Sequence, residues 1–82
     1  MSDEITEDDI KQGEIVYNAY KNLMPEIISS AEYMVKISGW EITEAFLNKQ
    51  LNKHDIPQQV KDLNITFLKY LHHKFKTQSA FN

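Results

Sequence analysis

The sequence predicts an all-α fold, a compact bundle of four short helices with short connections between them. Apolar residues recur at the three- and four-residue spacing of a helix, and no segment sustains the alternation typical of a strand. Both prolines and Gly39 fall between the apolar runs, where they separate one helix from the next. A bundle of three helices is the alternative, if the second and third helices fuse.

The first predicted helix runs from about Glu7 to Leu23. Thr6 is placed to cap it, with Asp9 three residues later in the position of a capping box. Gly13 lies inside this helix, where glycine costs about 1 kcal/mol relative to alanine. Gly13 therefore marks either a close crossing with another helix or a tolerated exposed position. The apolar positions of this helix are Ile10, Val16, Tyr17, Tyr20 and Leu23.

Two shorter helices are predicted on either side of Gly39. The second runs from about Pro25 to Ile37, and Gly39 ends it because glycine readily adopts the left-handed conformation. The third runs from about Trp40 to Lys53, with Ser38 and Glu41 as a second capping box. The apolar positions are Ile27, Ile28, Ala31, Met34 and Val35 in the second helix, and Ile42, Ala45, Phe46, Leu47 and Leu51 in the third.

The fourth helix has the most regular apolar pattern. Asp55 is expected to cap it, Pro57 to lie in its first turn, and the helix to continue for about 20 residues until it frays after Lys76. Its stripe is formed by Val60, Leu63, Phe67, Leu71 and Phe75, and we expect Leu63, Phe67 and Leu71 to be among the most buried residues. The length of the chain predicts one domain over residues 1–82, with residues 1–5 and 77–82 flexible.

Composition narrows the classes of protein. The chain has 82 residues, no cysteine and a net charge of −3, so disulfides and cysteine-ligated zinc are excluded. All positively charged side chains are Lys, and the absence of Arg together with the negative net charge disfavours nucleic-acid binding. No apolar stretch approaches the length of a membrane span, and the acidic start is unlike a signal peptide. We therefore expect a soluble, cytoplasmic protein.

No catalytic, cofactor-binding or metal-binding site is predicted. His72 and His73 are adjacent on a helix and point about 100° apart, so one ion does not easily use both. Glu4, Asp8 and Asp9 form an acidic group that is explained by the start of the first helix. The sequence has no glycine-rich phosphate loop and no Gly-x-Ser-x-Gly elbow. The prediction is a protein that is not an enzyme.

The segment from Ala31 to Leu51 has the plan of a helix-turn-helix unit, which gives an alternative function. The second of its helices would read DNA, and Glu41 and Glu44 near its start would repel phosphates. A small DNA-binding regulator is therefore the alternative to a protein-binding one. The side chains available for contacts with bases and phosphates are Asn48, Lys49, Gln50, Asn52 and Lys53.

Aromatic and aliphatic residues that fall off the best stripes are candidates for a protein-binding surface. Residues 1–14 carry six acidic side chains and one Lys, whereas residues 41–82 carry six Lys and four acidic side chains. Two copies could therefore pair acidic end to basic helix as a homodimer, or the same surfaces could bind a helical partner. A monomer is the alternative. The predicted contact residues are Tyr33, Trp40, Ile65 and Tyr70, with Lys69 and Lys74 at the rim.

These observations predict a non-enzymatic regulatory protein that acts by binding another protein. The abundance of Ile, Lys and Asn without Arg suggests an AT-rich gene, so a phage or mobile-element accessory factor is a reasonable setting. An inhibitor or an antiholin-like regulator would fit that setting. No motif identifies a family.

Overall fold

The computed structural model describes residues 5–53 and 55–77, and the regular structure within them is entirely α-helical. The helices are α1 (Glu7–Leu23), α2 (Pro25–Ser38), α3 (Trp40–Leu51) and α4 (Gln58–Thr77). They form a compact bundle with a radius of gyration of 12.1 Å. The all-α prediction is confirmed, and α2 and α3 remain separate helices. The predicted flexible ends lie almost wholly outside the described residues, which include only Ile5 and Thr77 of them.

The capping box at the start of α1 is present as predicted. The Asp9 backbone N–H donates to Thr6 Oγ1 at 3.1 Å, and the Thr6 backbone N–H donates to Asp9 Oδ2 at 3.4 Å. Together with Glu7 and Asp8, these groups place acidic side chains where the helix dipole favours them. The first predicted helix therefore begins and ends as expected.

The turn between α2 and α3 depends on Gly39, which has a φ of +88°. This conformation favours glycine, as predicted. The predicted capping box of Ser38 and Glu41 is wrong, because Ser38 still belongs to α2 and α3 has no side-chain cap. Instead, Thr43 Oγ1 donates to the Gly39 carbonyl at 2.8 Å. Thr43 is fully buried, and this hydrogen bond gives its hydroxyl group a partner.

The ends facing the α3–α4 connection also differ from prediction. Helix α3 ends at Leu51, two residues before Lys53. Helix α4 begins at Gln58, and the Pro57 carbonyl accepts its first backbone hydrogen bonds, from Val60 and Lys61. Asp55 therefore lies too early in the chain to cap α4, so that expectation is wrong.

The core lies where all four helices meet. Phe67 and Leu71 are fully buried, as predicted, but Leu63 is 40% exposed and Asn64 takes the buried position beside it. Leu23 and Ile42 were also expected in the core, and they are 76% and 57% exposed. The buried apolar residues are Val16, Tyr17, Ile28, Ala31, Val35, Leu47, Phe67, Leu68, Leu71 and Phe75.

Gly13 marks a close crossing of α1 and α4. A Cβ atom at this position would lie 2.2 Å from Tyr70 Cβ and 2.6 Å from Tyr70 Cγ. Of the two interpretations of Gly13, the close crossing is therefore correct. The missing side chain lets the Tyr70 ring pack beside Tyr17, with ring centroids 5.9 Å apart.

A chain of polar side chains, centred on the buried Asn64, joins three helices. The Tyr20 hydroxyl donates to Asn64 Oδ1 at 2.6 Å, and Asn64 Nδ2 donates to Asn52 Oδ1 at 3.1 Å. Asn52 in turn donates to Asn48 Oδ1 at 3.4 Å. The network satisfies both polar atoms of the Asn64 amide, which is why a polar residue is stable at this buried position.

Candidate protein-binding surfaces

The six predicted contact residues fall into three places. Trp40, Ile65 and Lys69 line one cleft between α3 and α4. Tyr70 and Lys74 lie around the Tyr17 ring, with Lys74 Nζ 5.1 Å from the centroid of that ring. Tyr33 is separate from both groups, exposed on α2. The structure thus brings half of the set together.

The cleft between α3 and α4 has a volume of about 380 Å³ and mixed lining. One wall is the α4 face that carries Ile65 and Leu68, and the other is the α3 face that carries Glu44 and Asn48. Trp40 lies at the start of α3. The remaining lining residues are Ile5, Lys69, His72, His73, Lys76 and Thr77.

Trp40 is held firmly at the cleft. Its ring stacks on His72, with centroids 4.8 Å apart and planes 1° from parallel. Its other neighbour is Phe75, a core residue whose ring lies 6.1 Å away in an edge-on arrangement. Trp40 is therefore half-buried, and its two ring contacts hold the side chain in one orientation.

The acidic start of α1 meets the basic helix within the same chain. Asp9 Oδ2 lies 3.8 Å from Lys69 Nζ, and both side chains are partly exposed. Such a pair contributes about 0–1 kcal/mol. The opposite charges invoked for pairing between two copies are thus at least partly used inside one chain.

Tyr70 and Lys74 take part in a cluster that joins helices. Tyr17 donates its hydroxyl proton to Glu32 Oε2 at 3.0 Å and so links α1 to α2. Burial raises the pKa of Tyr17 to about 12, and the Glu32 hydrogen bond and negative charge act in the same direction. Burial also raises the pKa of Tyr20 and Tyr70. Tyr70 packs between α1 and α4 against the Tyr17 ring, and the Lys74 ammonium group lies over the same ring.

Several exposed apolar residues were not singled out from the sequence or were assigned to the core. Ile15 is 66% exposed and Ile37 is 64% exposed, and both fall on the side of their helices opposite the buried stripe. Their exposure could have been predicted from the sequence, because an apolar residue on the polar face of an amphipathic helix does not point into the core. Leu23 and Ile42 lie at helix ends, where the stripe pattern is least informative.

The structure contains the two helices of the helix-turn-helix interpretation, and part of the proposed reading face is engaged in hydrogen bonds within the protein. Asn48 and Asn52 are hydrogen-bonded to each other, and Asn52 also binds the buried Asn64. Gln50 is half-buried, whereas Lys49 is exposed. Two of the amides proposed to contact bases are thus hydrogen-bonded within the protein.

Among residues 5–53 and 55–77, no group of three or more potential ligands could hold a metal ion. Across the same residues, every helix is too short or too polar to cross a membrane. Comparison with known protein families, curated proteins and solved structures finds no match.

Proposed function

We propose that this chain is a non-enzymatic regulatory protein that acts by binding other proteins. One observation supports this most strongly: Ile15, Leu23, Tyr33 and Ile37 are each more than 60% exposed. Isolated exposed apolar residues are common and need no explanation. Here they form pairs one or two turns apart on the outward faces of α1 and α2, which is the spacing that a partner protein can cover.

The pair on α2 provides the test. Tyr33 and Ile37 lie one turn apart and make no large contribution to the core, so serine at both positions should change the unfolding free energy by no more than about 0.5 kcal/mol. A matched control is the double serine variant at Glu26 and Lys36, which are exposed on the same helix.

Each protein would be immobilised and exposed to an extract of the cells that encode it. We expect a partner that is retained by the wild type and the control variant but lost with Tyr33→Ser/Ile37→Ser. The proposal would be refuted if all three proteins retained the same set of molecules, or if none retained any.

A homodimer is part of this proposal, but through a different surface from the charged one. Ile15, Ala19 and Leu23 are exposed and lie at successive turns of α1. The charged residue between Ile15 and Leu23 is Lys21, whose Nζ lies 5.7 Å from the Tyr17 ring centroid. In an antiparallel pair related by a two-fold axis at Ala19, Ile15 would face Leu23 of a second copy.

Sedimentation at tens to hundreds of micromolar protein tests the dimer. Ile15→Lys and Leu23→Glu should each give a monomer, whereas the double variant should associate again because opposite charges would then face each other across the axis. If the wild type sediments as a 9.6 kDa monomer, the homodimer is wrong.

DNA binding is the second candidate, favoured by the α2–Gly39–α3 arrangement and by the exposed Lys49 and Lys53. We expect no duplex binding in a gel shift at physiological salt. Sub-micromolar binding that weakens steeply with salt, with a slope reduced by about one unit in Lys49→Ala, would favour this alternative.

The biological setting is proposed from composition alone. The abundance of Ile, Lys and Asn supports placing the protein among phage or mobile-element accessory factors. An inhibitor or antiholin-like regulator is the role that this setting and a protein-binding surface favour together.

A further inference from the structure

We propose that the cleft between α3 and α4 binds an acidic amphipathic segment of a partner protein, with one large apolar side chain seated between Trp40 and Ile65. This inference deepens the proposed function and rests on it. It adds a second surface, distinct from the Tyr33 and Ile37 pair, and it states the chemistry of the segment that the surface receives.

The apolar part of the cleft is suited to a single anchoring side chain. Ile65 is 57% exposed on the α4 wall, and Trp40 lines the same cleft about two helical turns further along α4, where it stacks on His72 and contacts Phe75. Leu68 is buried beneath them. A partner side chain would lose water on entry without having to order these groups, and this lowers the entropic cost of binding.

The charges around the cleft favour carboxylates. Lys69 and Lys76 line it with exposed side chains. Glu44 on the α3 wall is the acidic residue of the lining. The Lys69 pairing with Asp9 is long, at 3.8 Å, and exposed, so a partner carboxylate can compete for the same ammonium group.

The dimensions favour a protein segment over other occupants. A volume of about 380 Å³ is at the lower end of the range for small-molecule sites, and the cleft is open. A nucleic acid is the less suitable occupant, because the chain has no Arg to bind phosphates in a bidentate manner. A helix of a partner, with apolar residues on one face and Asp or Glu at its flanks, matches both the apolar centre and the basic side.

The test uses synthetic peptides and the fluorescence of Trp40, which is the single tryptophan of the chain. A panel of tryptophan-free peptides of about three helical turns would carry Glu at the flanks and Leu, Phe, Ile or Met at the apolar positions. Control peptides would carry Lys in place of each Glu. We expect at least one acidic peptide to change the fluorescence saturably below about 1 mM and to weaken with salt, with no effect of the Lys peptides.

Two charge reversals locate the binding. Lys76→Glu should weaken the best acidic peptide by about fivefold or more, because attraction becomes repulsion at the cleft. Lys36→Glu makes the same change in net charge on α2, outside the cleft, and should leave the affinity within about twofold. Thermal unfolding of each variant confirms that the fold is retained.

Three results would overturn the inference: no saturable change with any acidic peptide, an equal change with the Lys peptides, or equal weakening by both charge reversals. None of these touches the capture experiment with Tyr33 and Ile37, which lie outside the cleft. Loss of the cleft assignment can therefore be told apart from failure of the protein-binding function itself.

Discussion

Substitution of Gly13 by alanine tests the close crossing of α1 and α4. Two effects oppose each other. Alanine is better than glycine in a helix by about 1 kcal/mol. The added methyl group, however, would lie 2.2 Å from Tyr70 Cβ, far inside the contact distance of about 3.5–4.0 Å between carbon atoms.

The size of the destabilisation depends on which atom of Tyr70 overlaps the added methyl group. Tyr70 Cβ is attached directly to the α4 backbone, so rotation of the ring cannot move it and the helices must separate. Overpacking of this kind costs about 1–3 kcal/mol, and the severity of the overlap places Gly13→Ala at the upper end. After the gain in helix propensity, we expect a net loss of about 2 kcal/mol. For a domain of this size, the melting temperature should fall by roughly 8–16 °C.

Urea unfolding followed by circular dichroism measures this loss. Asn18→Ala, at an exposed position of the same helix, is the control and should be neutral or slightly stabilising. In a Tyr70→Gly background the obstructing atom is absent, so Gly13→Ala should no longer destabilise the protein. If Gly13→Ala were as stable as the wild type, the two helices would not approach as closely as described, and the interpretation of Gly13 would be wrong.

Three further predictions concern the core and its polar groups. Phe67→Ala should cost about 3–5 kcal/mol in urea unfolding, because Phe67 is fully buried, and a loss below about 1 kcal/mol would place it outside the core. Asn64→Ala should cost about 1–3 kcal/mol, since the Tyr20 hydroxyl loses its acceptor, and a neutral result would show that the network contributes nothing. The raised pKa of Tyr17, about 12, means that the folded state favours the protonated phenol, so its contribution to stability is complete below pH 10 and is lost as the pH rises through 12. Stability measured across this range should fall less in Tyr17→Phe than in the wild type, and equal slopes would contradict the assignment.

Local chemistry could be predicted from the sequence only in part, since the caps expected from Ser38 and Asp55 do not form. Thr6 and Asp9 form their capping box, Gly39 makes the turn, and Phe67 is buried, because each depends on residues nearby in the chain. Leu63 was misplaced because α4 must face both α1 and α3, so the buried side of α4 cannot be read from its own stripe alone. Asn64 could be buried only because Tyr20 and Asn52 supply partners from other helices.

The cleft could be predicted only in part. Trp40 and Ile65 were expected at a surface because they fall off the apolar stripes, but they lie on different helices. That both line one cleft depends on how α3 and α4 pack, which no local pattern specifies. Tyr70 was drawn from the same set and instead fills the space left by Gly13, a contact between residues far apart in the chain.

The crossing at Gly13 also affects the order in which this chain can fold during synthesis. Helix α1 leaves the ribosome first, yet the helix against which it packs at Gly13 follows α2 and α3 in the chain. Until Tyr70 has emerged, α1 lacks that packing surface and the Tyr20 hydroxyl lacks its Asn64 acceptor. The chain between Gly13 and Tyr70 must then be closed into a long loop, so the conformational entropy of that segment is lost only when α4 packs against α1. Nascent chains of this protein should therefore expose apolar surface that chaperones can bind until α4 has left the ribosome. They should then fold cooperatively rather than helix by helix.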